Sequence, residues 1–278
     1  MNDSLKSYVQ QITKLPTVPD IARQILSLVD DNKLSVSRLE NIVEKDPAIA
    51  AKILSVANSA FFGLTVPVTT INSAILRIGF NNVKNIALGI SLMTVLDDGK
   101  PEHRVYYKKV FRHSAVVGVV SKFISESISL NISEEMLVNG LLHDMGYLVL
   151  NRYFSDNFTK ILNTFEGDGT LIEAEKSVLD FTHADIGRWI AEKWELPGVF
   201  IDTIHYHHTP SVAKWNTKHV AVVHLADYMT TADISRITEK NPDYPFDPSA
   251  LDILGITGDD LKDIEARIRD KASGNIFG

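Results

Sequence analysis

The chain has 278 residues, is 45% hydrophobic and 23% charged, and carries a formal net charge of -7, a composition that suits a globular protein with a sizeable core and excludes extensive disorder. No cluster of lysine and arginine offers the grip that a phosphate backbone requires, so nucleic acid is disfavoured as a partner. The absence of cysteine removes disulfides, thiolate metal sites and cysteine nucleophiles together, and leaves histidine and carboxylate to hold any metal.

The start, Met1-Asn2-Asp3-Ser4-Leu5-Lys6, lacks a basic segment leading into an apolar one. No apolar run reaches the roughly 18 to 20 residues of a membrane span. The expectation is a cytoplasmic protein without membrane insertion.

Along the chain, apolar residues recur at helical spacing: Ile21, Ala22, Ile25, Leu26 and Val29; Ile49, Ala50, Ile53, Leu54 and Ala57; Ile71, Ala74, Ile75 and Ile78. Asp46-Pro47 places a capping side chain before a proline at the first helical position, and Thr170 to Glu173 has the spacing of a capping box. Sustained strand alternation is missing, so the fold class predicted is all-α. Residues 4–96 read as short helices broken at Leu15-Pro16-Thr17-Val18-Pro19, at residues 58–70 and at Gly79-Phe80-Asn81-Asn82. They contain no histidine.

Asp97-Asp98-Gly99-Lys100-Pro101 marks a break, and all nine histidines lie beyond it. A long helix predicted over 104–128 carries His113 on a face with Val110, Val116 and Val117. Residues 140–148 read as an apolar helical run holding His143 and Asp144, whose unpaired burial would cost several kcal/mol. Gly140 and Gly146 flank them, each costing about 1 kcal/mol in a helix interior, and a close approach by a neighbour or a ligand would compensate. His183 opens the next helix, His205, His207 and His208 end a short one, and His224 and Asp227 stand one turn apart on the helix of residues 219–230. A last amphipathic helix is expected over 257–272.

These residues allow two readings: a polar core that satisfies itself, or a metal pocket built by helices projecting His113, His143, Asp144, His183, His207, His208 and Asp227 inward. Nitrogen and oxygen donors without thiolate suit a divalent transition metal, singly or as a pair, with iron or manganese favoured over zinc. No organic cofactor is expected.

The order His113, His143-Asp144, His183, His207-His208, Asp227 resembles the ligand series of the HD superfamily of metal-dependent phosphohydrolases, particularly its binuclear HD-GYP type. More specifically, Leu15-Pro16-Thr17-Val18-Pro19, Asp46-Pro47-Ala48-Ile49-Ala50-Ala51-Lys52-Ile53-Leu54, Ala57-Asn58-Ser59-Ala60-Phe61-Phe62-Gly63 and Ala74-Ile75-Leu76-Arg77-Ile78-Gly79 resemble the HDOD domain. Leu141-Leu142-His143-Asp144-Met145-Gly146, Trp194-Glu195-Leu196-Pro197 and Tyr206-His207-His208 do so too. The resemblance covers residues 10–229, as an N-terminal helical part at 10–96 and a metal-site part at 102–229; a C-terminal helical extension at 230–278 is expected to follow it.

What it implies is an HD-type helical bundle acting as a bacterial signal-transduction or regulatory module, metal-binding and non-catalytic or weakly catalytic. Its partner would be a signalling protein or a small nucleotide-like ligand. The alternative is a metal-dependent phosphohydrolase or cyclic-dinucleotide phosphodiesterase. Against hydrolysis, Tyr147 follows Gly146 where active HD-GYP enzymes carry lysine, the Gly-Tyr-Pro signature is absent, and a cation for the substrate phosphate is missing. Arg112, Arg152 or Arg188 would have to replace it, and no catalytic residue is assigned.

Overall fold

The computed structural model describes residues 3–28, 33–165, 169–231 and 244–272; Val29 of the first apolar series and parts of the C-terminal extension lie outside them. All the regular elements among the described residues are helices. The N-terminal part comprises α1 (Asp3–Val9), α2 (Asp20–Leu26), α3 (Lys33–Val43), α4 (Pro47–Ala57), α5 (Ile71–Ile78) and α6 (Phe80–Thr94). Asp46 caps α4 by accepting from the backbone N–H groups of Ala48 and Ile49 at 3.0 and 3.1 Å, ahead of Pro47. The loop after α4 is closed by Asn58, whose amide donates to the carbonyl of Val68 and accepts from its N–H.

Beyond the Asp97-Pro101 break come α7 (Pro101–Ser127), α8 (Ser133–Leu142), α9 (Met145–Tyr153), α10 (Ser155–Thr164) and α11 (Leu171–Leu179). They are followed by α12 (His183–Lys193), α13 (Gly198–Tyr206), α14 (Thr217–Thr231), α15 (Ser249–Leu254) and α16 (Gly258–Ala272). The sequence break does not divide the core. One apolar cluster runs from Leu5 through Ile86 and Leu141 to Ile204, and a second joins α7 and α14 to α16 through Ile124, Val222, Ile264 and Ile268. Helix α7, 27 residues and about 40 Å long, contributes to both.

The run at 140–148 departs from the sequence expectation. It is not one helix: α8 stops at Leu142, His143 and Asp144 form a turn, and α9 starts at Met145. On a continuous helix adjacent side chains diverge by about 100°. The break lets Nε2 of His143 and Oδ2 of Asp144 come within 3.3 Å of each other. The flanking glycines do admit close neighbours, as their helical cost suggests. A Cβ on Gly140 would sit 2.5 Å from Gly118 Cα of α7, and one on Gly146 would sit 1.9 Å from the carbonyl oxygen of His183. Gly140 therefore seats α8 on α7, and Gly146 seats α9 on the first turn of α12.

Candidate metal centre

Each of the donor side chains is placed by a helix or a helix end. His113 lies midway along α7, His143 and Asp144 occupy the α8–α9 turn, and Asp227 lies on α14. The start of α12 is fixed by a reciprocal capping box, in which Thr182 accepts from the N–H of Asp185 while Asp185 accepts from that of Thr182, so His183 becomes the first helical residue. His207 caps the C-terminus of α13, with His208 next in the chain.

The structure brings all seven side chains together. The ligand atoms of Asp144, His183, His207 and His208 lie within 4.8 Å of one another, as do those of His113, His143 and Asp144, and those of His143, His207 and Asp227. Asp144 is the hinge of the arrangement. Its Oδ1 is 3.3 Å from His183 Nε2 and 3.6 Å from His207 Nε2, while its Oδ2 is 3.5 Å from His113 Nε2 and 3.3 Å from His143 Nε2. Asp227 closes the far side, with Oδ1 3.0 Å from His113 Nε2. Six of the seven are buried, and His208 is partly so.

The outer nitrogens decide what the inner ones present. Nδ1 of His143 donates to the Gly140 carbonyl at 2.7 Å, Nδ1 of His207 to the Ile204 carbonyl at 2.9 Å, and Nδ1 of His183 to the Glu175 carboxylate at 2.9 Å. Carbonyls and carboxylates accept and cannot donate, so Nδ1 carries the proton and Nε2 turns its lone pair inward. This outward anchoring is what holds imidazole in ligand geometry.

Two observations test whether a metal fits. His143 Nε2 and His208 Nδ1 are buried without a hydrogen-bond partner, an arrangement that costs free energy unless something else satisfies them. In addition, His183 Nε2 lies 3.2 Å from Nε2 of both His207 and His208, which sets nitrogens against one another. A donor set of imidazole and carboxylate converging on one buried point is the chemistry of a transition-metal site, and the residues fit it.

The electrostatics differ from one member of the set to the next. Burial pushes the Asp144 and Asp227 carboxyls up, but the imidazoles around them, His143 foremost at Asp144 and His113 at Asp227, outweigh it and hold both well below the carboxylate range. Burial pushes His207 and His208 down, reinforced by neighbouring imidazoles, toward the neutral form that binds metals. At His183 burial also acts downward, but Glu175 and Asp144 prevail and hold it up at about 10.

Two residues went unnoticed in the sequence. Glu175 on α11 is fully buried, accepts from Nδ1 and the backbone N–H of His183, and accepts the Tyr147 hydroxyl at 2.6 Å. Tyr147 stacks on the His183 ring at 4.0 Å and is committed to Glu175, with burial and that carboxylate pushing its hydroxyl well up. Tyr244, preceding α15, places its ring 5.3 Å from that of His208 and its hydroxyl 3.4 Å from His224 Nδ1. A carboxylate eight residues before a histidine has no helical spacing to betray it, and Tyr244 sits in a segment without periodicity.

The other histidines are occupied elsewhere. His224 donates from Nδ1 to the His207 carbonyl and accepts the Asp247 N–H at Nε2, which leaves no lone pair for a metal. His103 pairs with Asp98, His205 with Asp185 and His219 with Glu135. Of the arginines weighed as phosphate partners, Arg152 donates to the Val95 carbonyl, Arg188 pairs with Glu192, and Arg112 is exposed.

The profile of the HDOD domain matches residues 15–210. The fold is shared with an HDOD domain protein of unknown function from Geobacter sulfurreducens, at a TM-score of 0.80 and 21% identity, over 98% of this chain and 94% of that one. A candidate signal transduction protein from Marinobacter aquaeolei VT8 matches at a TM-score of 0.73 and 22% identity, over 98% of this chain and 63% of that one. A candidate metal-dependent phosphohydrolase from Shewanella amazonensis SB2B matches at 0.59 and 22%, over 95% and 96%. An uncharacterized protein of Treponema pallidum (strain Nichols) is 23% identical over 211 residues, 73% of this chain, which spans 39% of that relative's length.

Proposed function

The chain belongs to the HDOD domain family, and on that premise we propose that it is a signal-transduction module whose buried metal centre holds its helices in place. It would act by binding a signalling protein or a small ligand and would be non-catalytic or only weakly catalytic. His113, His143, Asp144, His183, His207, His208 and Asp227 would hold a divalent transition metal, with iron or manganese preferred over zinc. Because Asp144 directs one oxygen to each half of the donor set, a binuclear centre is the version we favour.

The observation that carries this reading is the commitment of Tyr147. Where a phosphohydrolase needs a cation facing its substrate, this chain has a phenol stacked on a ligand imidazole and hydrogen-bonded to a buried glutamate. That residue props the donor set and offers nothing to a phosphate, whose transfer depends on opposing charge. Burial of the donors also suits a cation that stabilises the fold.

The second reading, a metal-dependent phosphohydrolase, is favoured by the complete donor set, since a bound metal would supply charge neutralisation for phosphoryl transfer. Two measurements decide. Protein purified without an affinity tag and loaded anaerobically with iron or manganese is expected to retain metal; less than about a tenth of an equivalent would end both metal-based readings. A panel of nucleotides and cyclic dinucleotides should then be turned over feebly or not at all, and robust turnover lost in Asp144→Ala would replace the regulatory reading with the enzymatic one.

A further inference from the structure

His224 is fully buried on the helix that carries Asp227, yet both of its ring nitrogens are turned away from the donor set. Nδ1 donates at 2.7 Å to the backbone carbonyl of His207, and Nε2 accepts at 2.9 Å the backbone N–H of Asp247, two residues before α15 begins. One imidazole thus spans the backbone of a candidate metal ligand and the backbone that leads into the C-terminal helices.

The Asp247 side chain makes a second connection from the same point. Its Oδ2 accepts the N–H of Ser211, three residues beyond His208, and its Oδ1 accepts the N–H of Ser249, the first residue of α15, both at 3.0 Å. Residues 207–211 are therefore held at two places by the residue that also starts α15. A third contact joins the Asp227 side: the Phe246 ring lies 4.7 Å from that of Tyr228, the neighbour of Asp227, and 5.5 Å from that of His224.

We propose that His224 is a positioning residue that couples the metal centre to α15 and α16, so that occupancy of the centre sets how firmly residues 246–254 are held. The proposal rests on the metal-binding reading and extends it to the part of the chain that responds.

The coupling needs an interaction that differs between the empty and the filled centre. It lies in the His207–His208 backbone. With no cation, the Nε2 atoms of His207 and His208 both face that of His183 at 3.2 Å, and their repulsion acts on the same dipeptide whose carbonyl His224 grips. A cation removes that repulsion, and a hydrogen bond as short as 2.7 Å is sensitive to where the carbonyl then comes to rest. Neutral histidine suits the place because it offers one donor and one acceptor on opposite sides of a rigid ring, as a carbonyl and an N–H together require. Movement at residue 247 reaches the helices beyond it, since Ala250 of α15 and Ile264 and Ile268 of α16 share one apolar cluster with Val222 and Val223 of α14.

Hydrogen exchange of the full chain, stripped by chelator or loaded with manganese, tests the proposal, with manganese content and affinity measured on the same samples. Loading is expected to slow amide exchange in residues 246–254 by about fivefold or more. His224→Leu should abolish that protection and weaken manganese binding by about tenfold or more. His224→Asn restores a donor toward His207 but no acceptor for Asp247, so it should bind manganese with intermediate affinity and still lack the protection. If His224→Leu does not fold, Asp247→Ala, whose side chain bonds Ser211 and Ser249 and no donor, carries the test: because coupling is reciprocal, its loss of protection should come with weaker manganese binding. Wild type that holds less than about a tenth of an equivalent of manganese would overturn the metal reading and this proposal with it. Wild type that holds manganese with unchanged exchange at 246–254, or variants that lose the protection at undiminished affinity, would overturn the coupling alone.

Discussion

Nε2 of His183 and Nε2 of His207 face each other at 3.2 Å, with both Nδ1 atoms committed to acceptors behind them. Two lone pairs at that separation repel unless positive charge lies between them. A shared proton or a metal cation would meet the need, and a metal would also satisfy His143 Nε2, which lacks a hydrogen-bond partner.

Metal binding should therefore appear as stability. A ligand that binds only the folded state adds about 2.7 kcal/mol at a hundredfold excess over Kd. For a chain of this size that corresponds to a rise of about 5–10 °C in Tm. Scanning calorimetry of chelated and reloaded protein is expected to show this rise in the wild type and to show none in Asp144→Ala.

Glu175 is expected to matter more to stability than its place outside the donor set suggests. It accepts hydrogen bonds from Tyr147 and from two groups of His183, all buried. Removing one partner of a buried charged network costs about 3–5 kcal/mol, so Glu175→Ala should approach that loss and release metal. Tyr147→Phe removes a single bond to a charged acceptor and should cost about 1.5–3 kcal/mol with metal retained. Urea unfolding combined with elemental analysis separates the two. Equal metal loss in both variants would contradict the assigned roles.

Gly146 and Gly198 form a matched pair for testing close packing. A Cβ at Gly146 would collide with the backbone of α12, whereas one at Gly198, in the first turn of α13, meets nothing within 4 Å. Gly146→Ala should cost about 3 kcal/mol, the upper end for overpacking, and displace His183 from its partners. Gly198→Ala should be neutral or stabilise by about 0.4–1 kcal/mol through the unfolded chain. Chemical denaturation measures both.

Asp247 makes one part of the stability pH-dependent. Burial pushes its carboxyl up, but hydrogen bonds from Ser211 and Ser249 outweigh that and set it at about 2, against an ordinary value of 3.8. A depressed carboxyl stabilises the fold above its unfolded pKa, and the contribution disappears as pH falls from about 4 toward 2. The stability difference between wild type and Asp247→Asn should be full at pH 5 to 6 and shrink across that window. A difference that stays constant from pH 6 to 2 would show that this carboxyl does not titrate as described.

The sequence by itself determined the helical class, through apolar spacing and capping residues that act over one or two turns. It also marked out the seven histidine and aspartate residues whose side chains the fold gathers among the described residues, because side chains so costly to bury stand out in apolar runs, and because their order resembles that of a known family. What it could not supply was the break between Leu142 and Met145, which turns neighbouring residues to one centre, or Glu175 and Tyr244, which reach the centre from segments with no periodic signal. Nor did it show that His224 joins the backbone of His207 to that of Asp247. Local propensity is written in adjacent residues, whereas these contacts join parts of the chain tens of residues apart. They arise only once α7 is packed between two cores and glycines at 140 and 146 let backbones touch. Tertiary packing, and no pattern along the chain, decided which polar groups face one another.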